Sequence, residues 1–129
     1  MKATAKLQRL GQSLWLDNIT REMLDSGQLQ RYIEEFSITG LTSNPSIFDK
    51  AIKSGAYDDE IRHKAAEGAD RETLFFELAI EDLRRAADWF APIHQRTAGV
   101  DGWVSLEISP LLAASSSLMA EKSVALLPI

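Results

Sequence analysis

Cysteine is absent from the 129 residues, and only four prolines and two histidines occur. Without Cys there is no disulfide framework, no thiolate zinc site, no Cys nucleophile and no CxxC redox centre, a pattern that fits a reducing compartment. His63 and His94 lie in separate segments with no second ligand at metal spacing, so no metal is expected. Basic residues are also in short supply. Fourteen Lys and Arg against nineteen Asp and Glu give a formal net charge of -5, the wrong sign for collecting nucleic acid or anionic lipid. Neither nucleic acid nor membrane is an expected partner. No apolar run approaches the ~20 residues needed to span a bilayer. Gln8, Arg9, Gly11 and Gln12 interrupt any apolar stretch a leader peptide would need, and a cytoplasmic location is the expectation.

What is present suits one soluble α/β domain over residues 1–129, with 45% hydrophobic and 26% charged residues. Ser13 to Asp17 alternates with period two, placing Leu14 and Leu16 opposite Ser13, Trp15 and Asp17. Leu29, Tyr32, Ile33 and Phe36 recur at helical spacing and predict an amphipathic helix over 28–36. A second strand is predicted over 37–41. Asn44 then reads as an N-cap with Pro45 at the first helical position, opening a helix over 45–53 that Ser54 and Gly55 close. Acids early and bases late predict another helix over 57–67. Asp70 caps a long helix carried by Phe76, Ile80, Leu83, Ala87 and Phe90, with Pro92 expected to mark its end. Trp103 to Ile108 alternates again and gives a third strand.

Strands separated by helices imply parallel pairing. In a parallel barrel the carboxyl ends of the strands face the active site, and here those ends carry Asp17, Thr42 to Asn44, and Glu107. Two carboxylates and an amide there suit proton transfer and hydroxyl recognition on a polar small molecule. Each residue also has a plainer reading. Asp17 reads equally as a cap for the next segment or a partner for Arg21. Asn44 reads first as a helix cap. Glu107, on a strand face with Trp103 and Ser105, is costly to bury unless it is partnered. Trp15 and Trp103 read as core fill.

Taken together, 13-SLWLDNITREML-24, 40-GLTSNPSIFDKAI-52, 78-LAIEDLRRAAD-88 and 99-GVDGWVSLEISPLLA-113 resemble the N-terminal part of the transaldolase family, over about residues 10–113. TSNPSIF followed by VSLE-S-P is far more specific than either motif alone. The resemblance implies a partial (β/α)8 TIM barrel of the class I aldolase type, with about three N-terminal strands and a helical insertion between strands 2 and 3. It also implies transfer of a dihydroxyacetone unit from a ketose phosphate such as sedoheptulose 7-phosphate to glyceraldehyde 3-phosphate, in the pentose phosphate pathway, through a lysine Schiff base. By position Asp17 resembles the first-strand acid/base. Thr42 and Asn44 resemble the second-strand residues that bind the dihydroxyacetone portion. Glu107 resembles the third-strand carboxylate that works through a water in imine formation. No cofactor is implied, and the partners implied are sugar phosphates.

The family's lysine lies on the fourth strand in an Ile-Lys-Val/Ile-Pro segment. At roughly 31 residues per βα step it is expected near ~138. Lys122 lacks the following Pro, and Leu126-Leu127-Pro128 has Leu in the lysine's place. The tail over 114–129 is expected to diverge, the chain to lack the Schiff-base lysine, and the chain alone to be inactive. The alternative expectation is a non-catalytic α/β module, a homo-oligomer or a partner-bound chain that covers its exposed sheet edges.

Overall fold

The computed structural model describes residues 1–106. Its elements are α1 (Ala3–Arg9), β1 (Trp15–Asp17), α2 (Arg21–Asp25), α3 (Gln28–Phe36), β2 (Gly40–Ser43), α4 (Pro45–Lys53), α5 (Asp58–Ala66), α6 (Arg71–Arg96) and β3 (Trp103–Leu106). Glu107 and the tail over 114–129 lie outside the described residues. The strands form one parallel sheet in the order β1-β2-β3. Two helices connect the first pair of strands and three connect the second, so the chain is α/β with its helical insertion where the resemblance implies it.

Alternation along the strands sorts the sheet into two faces. Register places Leu16 beside Leu41 and Leu41 beside Val104, with Ser43 beside Leu106. This face is closed. Leu41, Val104 and Leu106 join Ile19, Met23 and Leu24 from and beside α2, Leu29 of α3, Phe48 of α4, and Ala79, Leu83, Ala86, Phe90 and Ile93 of α6 in one core. The opposite face carries Trp15, Gly40 and Trp103 in one row and Asp17, Thr42 and Ser105 in the next. None of these six belongs to a core cluster among the described residues.

Several boundaries differ from the sequence expectation for identifiable reasons. The second strand is Gly40–Ser43 rather than 37–41, because Ser37 closes α3 in the left-handed region at φ 57 and extended pairing starts only after it. Thr39 N–H donates to Leu14 O at 2.8 Å as the chain enters the sheet. Pro92 does not end α6, which continues to Arg96. An internal proline costs about 3 kcal/mol, and it is tolerated here because the turn beyond it buries Ile93. That turn is tied off by Thr97, whose N–H and Oγ1 both reach Ile93 O at 2.9 Å. The buried stripe of α6 is Leu78, Ala79, Asp82, Leu83, Ala86, Phe90 and Ile93. Phe76, Ile80 and Ala87 flank it rather than form it. Trp15, read as core fill, is 41% exposed.

Two short helices carry signals too brief for periodicity to show. In α2, Thr20 Oγ1 accepts from Met23 N–H at 3.0 Å and so caps the helix. The helix α1 has no buried residue and is tethered by Lys2, which pairs with Glu35 at 3.1 Å and lies 4.4 Å from the Phe36 ring centroid.

Candidate functional site

The row Asp17, Thr42, Ser105 lies at or near the carboxyl ends of three adjacent parallel strands and on the open face. Neighbouring strands stand about 4.8 Å apart, so the Asp17 carboxylate and the Thr42 hydroxyl start from backbones within reach of one small ligand. Asp17 is exposed and so carries no burial penalty. Both plainer readings of Asp17 fail among the described residues. Thr20 caps α2 instead. Arg21 turns away: its Nε and Nη2 donate to Asp82 Oδ1 at 3.0 and 2.8 Å, and its Nη1 donates to Glu60 Oε2 at 2.5 Å. No described residue hydrogen-bonds or pairs with the Asp17 side chain.

Asn44 is the helix cap its sequence context predicts, since Oδ1 accepts from Ile47 N–H at 3.1 Å at the start of α4. Capping fixes the rotamer and leaves the Nδ2 donors without a partner among the described residues. Thus Asn44 serves the helix with one end of its amide and keeps the other end available. Thr42 is half-buried and its hydroxyl has no described partner. The structure therefore brings Asp17 and Thr42 into one row, with Asn44 two residues beyond Thr42. Glu107, two residues beyond Ser105 in the sequence, lies outside the described residues.

Among the helices lies a feature that the sequence reading missed. Asp82 is fully buried, receives Arg21 on Oδ1, and accepts the Tyr57 hydroxyl on Oδ2. The Arg21 guanidinium also sits 4.3 Å from the Tyr57 ring centroid. Burial by itself would lower the Arg21 pKa, but hydrogen bonds to Glu60 and Asp82 reverse that and raise it above its ordinary value. Burial, and then the hydrogen bond to Asp82, push the Tyr57 phenol well above the usual tyrosine range. The cluster joins α2, α5 and α6. A cavity of about 690 Å³ lies next to it, between the segment after β1 and helix α4, with Asn18, Arg21, Lys50 and Tyr57 on its walls. Neither Asp17 nor Thr42 lines this cavity, so it is not part of their row.

Five lysines fall among the described residues, and none stands on a strand: Lys2 and Lys6 are at α1, Lys50 and Lys53 on α4, Lys64 on α5. No three His, Asp or Glu residues among those described gather as metal ligands. No helix among them is long and apolar enough to cross a membrane.

Comparison with known proteins gives a consistent family. The sequence model described as Transaldolase/Fructose-6-phosphate aldolase matches residues 14–128, continuing past Ala113. A transaldolase of Thiobacillus denitrificans is 45% identical over 118 residues, covering 91% of this chain and 33% of that protein. A transaldolase of Arthrobacter sp. is 46% identical over 111 residues, covering 85% and 30%, and one from Renibacterium salmoninarum is 44% identical over 108 residues, covering 83% and 29%. The chain spans about a third of the length of these curated relatives.

Proposed function

The chain belongs to the transaldolase/fructose-6-phosphate aldolase family, and from that premise we propose that it carries the proton-transfer and hydroxyl-binding side of a transaldolase site. The reaction is transfer of a dihydroxyacetone unit from a ketose phosphate such as sedoheptulose 7-phosphate to glyceraldehyde 3-phosphate, a step of the pentose phosphate pathway. Asp17 takes the proton from the substrate hydroxyl as the carbon–carbon bond breaks, and returns it when the new bond forms. Thr42 and the free Nδ2 of Asn44 hold the hydroxyls of the dihydroxyacetone portion. Glu107 works through a water during imine formation.

The electrons of the broken bond need a lysine iminium as their sink. The described lysines are helical or N-terminal, and we infer that none of them is that amine. Lys122, outside the described residues, lacks the proline that follows the family's lysine, and we expect the chain by itself to form no imine: borohydride reduction in the presence of sedoheptulose 7-phosphate leaves the intact mass unchanged. A reduced adduct on any lysine of the chain would overturn that inference.

The observation that supports the site is an in-register Asp17 and Thr42 on the sheet face opposite the apolar core, with Asp17 neither capping α2 nor pairing with Arg21. Ligand-observed NMR tests it. Sedoheptulose 7-phosphate binds the wild-type chain saturably and binds Asp17→Ala much more weakly; equal binding by the two would sink the assignment. Should the full-length family chemistry apply, with the lysine supplied, Asp17→Ala slows bond cleavage more than imine formation, and Glu107→Ala slows imine formation.

A second reading rests on the sheet edges, since no described strand pairs with the outer edge of β1 or β3. In that reading the chain is a non-catalytic module that associates with itself or with another chain to cover them. Sedimentation at micromolar concentration distinguishes the readings, because a compact monomer counts against the second.

A further inference from the structure

The open face is not polar throughout. One strand step below Asp17, Thr42 and Ser105 lies the row Trp15, Gly40, Trp103, and its two tryptophans are held in different ways. Trp103 is committed to the last turn of α6 and the loop after it: its Nε1–H donates to Gly99 O at 2.9 Å, and its ring meets His94 of α6 edge-on with centroids 4.8 Å apart. Trp15 makes no such commitment. Its indole lies against Gly40 so closely that a Cβ at that position would fall 2.4 Å from Cε2 and 2.6 Å from Nε1. Gly40 is buried under it, yet Trp15 itself remains 41% exposed. No described residue accepts from the Trp15 Nε1–H.

An indole normally either buries its ring in a core or finds a partner for its N–H. Trp15 does neither, although Gly40 gives its ring a flat seat on the face that carries Asp17. The two residues are separated by two positions along one strand, about 6.6 Å. Ligand sites combine apolar walls with a few placed polar groups, and the row above supplies only polar groups. We propose that Trp15 is a substrate-contacting residue that forms the floor of this site. Its exposed ring takes the C–H side of a polyhydroxylated, phosphorylated carbon chain, its free N–H donates to one hydroxyl, and Gly40 is the residue that lets the ring lie flat. This deepens the transaldolase reading and rests on it.

The test uses the full chain with fructose 6-phosphate as probe, affinity by ligand-observed NMR, and acrylamide quenching of tryptophan emission. In the wild type the ligand reduces quenching. Trp15→Phe weakens affinity about tenfold, the scale of one lost aromatic contact, and abolishes the ligand-dependent change in quenching. Gly40→Ala, which displaces the ring, weakens affinity to a similar extent while keeping all the tryptophans. Trp89→Phe, which removes an indole 40% exposed on α6, alters neither readout. Wild-type affinity in Trp15→Phe, with Asp17→Ala impaired, overturns the floor and leaves the site reading standing. Wild-type affinity in Asp17→Ala overturns the site reading itself, and no saturable binding by the wild type overturns both.

Discussion

The two faces of the three-stranded sheet are made from alternate residues of the same short segments, yet they do opposite work. Leu16, Leu41, Val104 and Leu106 point toward the helices, where they are partly or fully buried and join one apolar core. Trp15, Asp17, Thr42, Trp103 and Ser105 point the other way, and none of the five is fully buried. Burial of apolar area stabilises the fold at about 25 cal/mol per Å², so nearly all of that contribution enters through the helix side. A carboxylate on the same side would have to be partnered, as Asp82 is, whereas Asp17 on the open side is exposed to water. A side chain's chemistry and its energetic role here follow from whether its strand position is odd or even.

If this separation holds, substitutions should divide by face. The largest effect is expected at Asp82, the one fully buried carboxylate among the described residues. Asp82→Ala leaves Arg21 short of a buried partner and should cost about 3–5 kcal/mol, read by urea denaturation. Leu41→Ala, at a fully buried position in the central strand, should cost about 2–5 kcal/mol, and a loss under 1 kcal/mol would mean the helix side is looser than its burial implies. Tyr57 tests the same side by pH. Its phenol is raised in the fold by burial and by Asp82, so its contribution is complete below pH ~10, the unfolded value, and is lost as pH rises above it. The wild type should lose stability steeply in that alkaline range, and Tyr57→Phe should flatten the slope. Asn44→Ala removes a cap and should cost about 1 kcal/mol, with a further loss of ligand affinity if its Nδ2 serves the site. Asp17→Ala should change stability by no more than about 0.5 kcal/mol while removing ligand binding, and a large loss of stability there would break the comparison.

Local patterns were readable wherever the cause was local. Asn44 with Pro45, the acids that open α5, the cap at Asp70 and the alternation from Trp103 all correspond to elements in the structure. The strand-end placement of Asp17 followed from the alternation over Ser13 to Asp17, whereas Thr42, expected just beyond a strand ending at Leu41, stands inside one that runs to Ser43. What escaped was set by distant partners. Arg21 and Asp82 are 61 residues apart, and no local rule connects them. One trace was present, since Asp82 stands at four-residue spacing between Leu78 and Ala86, and an acid on a core stripe requires a cation from elsewhere. The shift of β2 arose from the left-handed turn at Ser37, for which a serine gives little warning. Pro92 was misread because the penalty of a helical proline is local while the packing of Ile93 that offsets it is not.

The strand order has a consequence for how the molecule is made. Because β1, β2 and β3 stand side by side in the order in which a ribosome releases them, no strand must be inserted between two that are already paired. About 60 residues separate Ser43 from Trp103, several seconds of synthesis at about 5–20 residues per second. During that interval β2 has a partner on one side and the emerging helices α4 to α6 to cover its apolar face. Vectorial growth in this order keeps the number of waiting strand edges constant as the chain lengthens.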